Sequence, residues 1–256
     1  MEETLAAIEG WRRGAPRLAG EVASEWELTL GEPYVAGMSG YVVRAERADG
    51  TSAVLKLNWP HREAEQEAEA LHRWRGDGGV LLLARDDARY AMLLERCEPG
   101  TFLKDAPASV DRLGGLIELL PRLWKDASGF RTLAEEVEHW ALEGEVGELA
   151  RELAATQGEL VLVHQDLHGE NVLAAQREPW LVIDPKPLAA EREFAVAPIV
   201  RSPELGHSKQ ETLDRLDRLC AELGLDRDRA RGWTIVQTVA WAEGASHHTR
   251  TVEWLS

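Results

Sequence analysis

The sequence predicts an α+β chain of two lobes: a small antiparallel sheet carrying one helix over residues 1–97, then a larger, mostly helical part over residues 98–256. Three observations carry that expectation. Runs of alternating apolar and polar residues gather in the first hundred positions. The character switches at Glu98-Pro99-Gly100, a cluster of structure breakers. Beyond it, apolar residues recur mainly at helical spacing. No repeat, low-complexity tract or long linker interrupts the chain, so two lobes joined near Arg96 to Gly100 is the economical reading.

Each element has its own signal. Leu5 to Arg13 reads as a short helix. Glu27 to Leu30 alternates, Tyr41 to Glu46 is rich in β-formers, and Ala53 to Trp59 alternates again, with Ala48-Asp49-Gly50 as a tight hairpin turn. His61 to Trp74 has helical spacing, with Ala64, Ala68 and Leu71 on one face, until Gly76 to Gly79 breaks it. Val80 to Arg85 and Tyr90 to Glu95 are strands around Asp86-Asp87. Amphipathic helices follow at Leu113 to Leu123, Leu133 to Leu142 and Val146 to Ala155. Trp180 to Asp184 is a strand, and Glu211 to Leu223 and Asp226 to about His248 close the chain as helices.

A formal charge of -16 argues against nucleic acid or an anionic membrane as partner and permits a cationic small molecule. Cys97 and Cys220 are too few and too isolated for a zinc site or a disulfide framework, and read as buried thiols. The first residues lack a long apolar run, and no segment approaches the length of a membrane span. The expectation is a cytoplasmic protein.

One stretch resists a purely structural account. VLVHQDLHGENVL, Val161 to Leu173, sets His164, Asp166, His168, Glu170 and Asn171 between apolar flanks. The alternating His164, Asp166 and His168 can line a strand as metal ligands, or form a plain polar loop. A third reading adds Asp184. If Asn171-Val172-Leu173 pairs with Trp180 to Ile183 as a hairpin, Asp184 returns to the same loop. A carboxylate to accept a hydroxyl proton, with an amide and a second carboxylate to hold Mg²⁺, is the equipment of phosphoryl transfer.

The first lobe supplies matching parts. Lys56 sits among apolar residues in AVLKLNW and needs an anion, a carboxylate or a phosphate. Glu67 lies on the apolar side of the next helix, with Glu63 a near alternative. Gly37 to Gly40, including Ser39, links two strands with small residues that let backbone N–H groups approach phosphates. Leu93 to Gly100 reads as the hinge, where backbone groups near Glu95 and Cys97 meet a nucleotide base.

The stretch HQDLHGEN is similar to the catalytic loop of the aminoglycoside phosphotransferases, which share the protein-kinase fold. The resemblance implies a bilobal kinase-like fold, with Asp166 as catalytic base and Asn171 and Asp184 as magnesium ligands. It also implies that Lys56, paired to Glu67, touches the nucleotide phosphates, that His164 braces the loop, and that His168 is structural or near the substrate. The absence of D-F-G and A-P-E motifs favours a small-molecule kinase over a protein kinase. WELTLGEP, AVLKL, EAEAL, LLERCEPG, VHQDLHGENVL and IDPK together resemble the streptomycin and hydroxyurea resistance kinases from about Trp26 to Pro203. Two residues depart from that branch: Pro187 stands where glycine is usual, and Ala195 where aspartate is usual. Both are expected to border the acceptor site.

The resemblance therefore implies an ATP- and Mg²⁺-dependent kinase of a small-molecule hydroxyl, first of all on a streptomycin-type aminoglycoside. A kinase of another sugar or amino alcohol is the second reading, and a catalytically idle kinase-fold binding protein the third. Lys186 can reach the transferring phosphate or be solvated. Glu204, His207, Trp241, Glu243 and His247 are candidates for the acceptor pocket.

Overall fold

Side-chain alternation along one strand organises the amino-terminal part of the protein. The computed structural model describes residues 2–34, 39–241 and 246–256, and the chain divides into two units. Unit 1 is Met1–Gly76 with Val80–Cys97; unit 2 is Asp77–Gly79 with Glu98–Ser256.

Unit 1 contains α1 (Glu2–Glu25), β1 (Leu28–Pro33), β2 (Gly40–Arg47), β3 (Ser52–Asn58), α2 (Glu67–Trp74), β4 (Leu82–Asp86) and β5 (Ala91–Glu95). The strands form an antiparallel sheet in the order β1-β2-β3-β5-β4. Because successive side chains of a strand point to opposite faces, Ala53, Leu55 and Leu57 of β3 share a buried face with Val43, Ala45 and Leu93. Lys56 and Asn58 share the other.

The predicted Leu5 to Arg13 helix is much longer, running 24 residues through Pro16. Ala15, Ala19, Val22 and Ala23 are buried, and Ala19 and Val22 join the apolar core of the sheet. Tertiary burial here overrides the Gly14-Ala15-Pro16 punctuation. The predicted His61 to Trp74 helix is shorter, starting at Glu67. Ala64 N donates to His61 O (2.9 Å) and Glu67 N to Ala64 O (3.3 Å), so the preceding residues close turns over three residues rather than a helical ladder.

Unit 2 contains α3 (Arg112–Leu123), α4 (Leu133–Trp140), α5 (Gly144–Ala155), β6 (Val161–His164), β7 (Val172–Ala174), β8 (Trp180–Val182), β9 (Pro187–Ala190), α6 (Ala197–Val200), α7 (Lys209–Leu223), α8 (Arg227–Ala240) and α9 (Ser246–Leu255). A capping box of Thr132 and Glu135 starts α4, and Ser208 and Asp226 cap α7 and α8. Helix α8 packs against α5, α6, α7 and α9. Its Trp233 is fully buried and meets Phe194 edge-on, with ring centroids 5.5 Å apart.

The β7–β8 hairpin forms as the sequence suggests, with Val172 opposite Val182. Strand β9 was not foreseen, because Pro185 and Pro187 argue against a strand. Pro187 occupies the first position, opposite His164, where its missing N–H is tolerated. Neither departing residue opens to solvent: Pro187 is buried, and Ala195 is fully buried on the turn Arg192–Val196. The single helix expected from Asp226 to about His248 is instead α8 and α9. His247 and His248 are half-buried in α9 rather than part of an exposed tail, with ring centroids 4.3 Å apart. Cys220 is buried, but Cys97 only partly so. Among the described residues, no helix is long and apolar enough to cross a membrane.

Candidate active site

The polar stretch of unit 2 is fixed by its own backbone. Strand β6 ends at His164, and a short turn over Gly169–Asn171 leads into β7. His164 Nδ1 accepts from Asp166 N (3.1 Å), which leaves Nε2 to donate to Ile183 O (3.3 Å). Burial holds this ring neutral, pulling its pKa down to about 4 against the Asp166 charge. Both ring nitrogens are thus engaged within the protein, so the reading of His164 as a metal ligand fails. The Asn171 side-chain amide donates to Asp166 O (2.7 Å), and Ile183 N donates to Asn171 O (2.9 Å). These bonds tie Asp166, Asn171 and the approach to Asp184 into one loop. Asp184 is exposed and left-handed, with φ 54.

Asp166 lies among cations. Lys186 Nζ donates to its Oδ2 at 2.9 Å, so Lys186 is neither simply solvated nor distant from the loop. Arg201 Nη2 and His168 Nε2 approach Oδ1 at 3.7 Å and 3.8 Å. Arg201 is 7% exposed, and burial lowers its pKa to about 10, against the pull of Asp166. It therefore stays charged at neutral pH. Its guanidinium lies 4.7 Å from the Trp241 ring centroid, and the Lys186 ammonium 5.0 Å from the same centroid. Burial opposes the charge of His168, yet Glu204, Asp166 and Glu170 together raise its pKa. Glu204 Oε2 is 3.7 Å from His168 Nδ1, and its Oε1 accepts from Gly169 N.

In unit 1, Lys56 Nζ donates to Glu67 Oε1 at 2.5 Å. Asn58 Nδ2 donates to Glu67 Oε2 at 2.6 Å, and all three residues are buried. Ser39 O accepts from Trp59 N (2.7 Å), and Gly40 opens β2 opposite Asn58. The Glu95 carboxylate accepts from Leu81 N (3.0 Å), while Cys97 follows the end of β5. Gly37 and Glu243 lie outside the described residues.

Of the expected acceptor-pocket residues, the structure brings Glu204 and Trp241 toward Asp166 through His168, Lys186 and Arg201. His207 packs instead on His247 (6.0 Å between centroids) and Trp254 (4.7 Å). Arg201 and Asn58 were not anticipated. Asn58 had a signal, since it shares a strand face with Lys56. Arg201 had none, because only the tertiary fold joins α6 to the loop.

The fold and this loop define a small-molecule kinase. A family model described as aminoglycoside/hydroxyurea antibiotic resistance kinase matches residues 25–247, and the chain belongs to that family. A hydroxyurea phosphotransferase of Kitasatospora aureofaciens is 38% identical over 265 residues, covering 92% of this chain and 75% of that protein. A streptomycin 6-kinase of Streptomyces griseus is 35% identical over 259 residues, covering 90% and 84%. The crystal structure of a choline kinase from Streptococcus pneumoniae superposes with a TM-score of 0.66, covering 95% of this chain and 99% of that one at 15% identity. The expected kinase-like α+β fold is therefore the one observed.

Proposed function

We propose that the protein uses ATP and Mg²⁺ to phosphorylate a hydroxyl of a small molecule, with Asp166 as the base. The observation that carries the reading is the set of side-chain and backbone hydrogen bonds that ties Asp166, Asn171 and Ile183, next to Asp184, into one loop and hairpin. Asp166 orients the acceptor hydroxyl and takes its proton. The freed oxygen attacks the γ-phosphorus, a new O–P bond forms, the β–γ bridging P–O bond breaks, and ADP leaves.

The donor set suits Mg²⁺, a hard cation that takes one or two protein oxygens and completes its shell with phosphates and water. The Nδ2 of Asn171 is committed to Asp166 O, so its amide oxygen is the atom left for a cation, beside the Asp184 carboxylate. When bound, Mg²⁺ offsets phosphate charge. Lys56, steadied by Glu67, contacts the α- and β-phosphates. Backbone groups of Gly37, Ser39 and Gly40 cover the phosphates, and those at Glu95 and Cys97 meet the base.

The relatives' names supply two acceptor classes, a cationic aminoglycoside and an uncharged hydroxyl compound. ADP release stimulated by an added acceptor tests the reading, and Asp184→Ala should abolish it. An Asp184→Ala protein that turns over normally would show the loop to be structural. ATP binding without turnover or any acceptor response would favour the idle binding protein instead.

A further inference from the structure

We infer that Gln237, on α8, is a positioning residue for Asp166, fixing the peptide group from which the base projects. The inference deepens the phosphotransferase reading and rests on it. The Gln165–Asp166 peptide is gripped at both ends by side chains. Its carbonyl accepts from Gln237 Nε2 at 2.7 Å, and its N–H donates to His164 Nδ1 at 3.1 Å. The neighbouring peptides are held as well: Gln165 N donates to Lys186 O (3.0 Å), and Asp166 O accepts from Asn171 Nδ2 (2.7 Å). Three of these four bonds arise within residues 164–186. The fourth comes from a residue 72 positions farther along the chain, so of the four it alone ties the loop to the closing helices of unit 2.

The surroundings of Gln237 suit that task. Thr234 to Thr238 form a continuously buried turn of α8, and Trp233 just before them packs edge-on to Phe194. An amide buried in such a place costs free energy unless it is hydrogen-bonded. Its orientation has one solution, because a carbonyl only accepts and the NH2 group must therefore face Gln165 O. Among the described residues Gln237 Oε1 has no partner, and the bond to Gln165 O is the only one its side chain makes. A bond that merely satisfied a buried carbonyl would matter to stability alone. This carbonyl belongs to the peptide whose rotation carries the Cα of Asp166, and with it the carboxylate that meets the acceptor hydroxyl. A misplacement of about 1 Å at such a group costs on the order of 10²-fold in rate. The proposed metal ligands keep a tie of their own, Ile183 N to Asn171 O (2.9 Å), so Mg-ATP binding should change little.

The test measures ADP release by the full chain with Mg-ATP and whichever of hydroxyurea, streptomycin, simple sugars and amino alcohols is turned over, beside calorimetric titration of Mg-ATP. Gln237→Met keeps length and burial but removes the donor. It should lower kcat by about 10–10²-fold, while the Kd for Mg-ATP stays near the wild-type value. Thr238→Val is the packing control. That residue is equally buried and its hydroxyl has no partner among the described residues, so the substitution should leave kcat unchanged. Should Gln237→Met not fold, Gln237→Asn, whose amide stops one methylene short of the carbonyl, carries the same expectations. A folded variant with wild-type kcat overturns the inference. So does a parallel loss of Mg-ATP binding and turnover, or an equal loss in Thr238→Val, since either would make α8 a general support. Wild-type silence toward every acceptor fails the phosphotransferase reading itself, and the inference falls with it.

Discussion

Lys56–Glu67 and Lys186–Asp166 are the same two charges in opposite circumstances. In unit 1 the pair is buried: the lysine and glutamate side chains are 9% and 3% exposed, and Asn58 donates to the second carboxylate oxygen. In unit 2 the carboxylate is shared among Lys186, Arg201 and His168, with the lysine and aspartate side chains 25% and 16% exposed. A closed pair suits a post that must stay where it is, such as a lysine presented to phosphates. An open, unbalanced cluster suits a group that gains a proton and loses it again. Under the proposed roles, that difference would put rigidity in one unit and changing charge in the other.

The comparison breaks most visibly at Asp166. Asp166→Asn keeps size and hydrogen bonding but removes the proton acceptor, so turnover should fall by about 10²–10⁴. Nucleotide affinity should move little, since Asn171 and Asp184 remain. Calorimetric titration with Mg-ATP, paired with turnover on a working acceptor, checks this. Loss of binding and activity together would mean that Asp166 is a structural residue.

The closed pair should break differently. Lys56→Met takes the ammonium from the buried Glu67 carboxylate, and removing one partner of such a pair costs roughly 3–5 kcal/mol of stability. Adding Glu67→Gln should recover much of that loss without recovering ATP use. Denaturant midpoints of the single and double variants give the answer. Equal midpoints for both would show that the pair is not coupled.

Two histidines sharpen the contrast through pH. His164 is held neutral, its pKa lowered from 6.5 to about 4 by burial. Its contribution is present above pH 6.5 and lost as pH falls toward 4, in all roughly 3 kcal/mol. His164→Gln should flatten that acid limb in pH-dependent unfolding. His168 has the opposite sign, because its pKa is raised. Its pairing with Glu204 is fully present below the unfolded pKa and lost as pH climbs through the folded one. A smaller decline on the alkaline side should therefore disappear in Glu204→Gln. A slope unchanged by that substitution would remove Glu204 as the partner.

What the sequence disclosed was mostly local. The β7–β8 hairpin and the return of Asp184 were legible because chain connectivity alone brings them together. Lys56 announced itself as a charge among apolar neighbours, and Glu67 followed from helical spacing. The length of α1 was hidden by Pro16, since what extends it is burial against a sheet that no short window contains. Strand β9 was hidden by its own prolines. Arg201 was unreadable as a neighbour of Asp166, because a buried arginine looks like a surface one until the fold closes over it.

The left-handed backbone at Asp184 carries a consequence for how such a protein can decay. Glycine adopts that conformation without steric cost, and aspartate only tolerates it. Asp184→Gly and Asp184→Ala delete the same carboxylate, yet the alanine form keeps the conformational penalty, about 1 kcal/mol. At this position, drift toward a sturdier chain and drift toward silence run in the same direction. Under the proposed metal role of Asp184, a lineage released from selection for transfer would lose its chemistry by a substitution that relieves backbone strain, and a glycine here would be the mark of a retired enzyme.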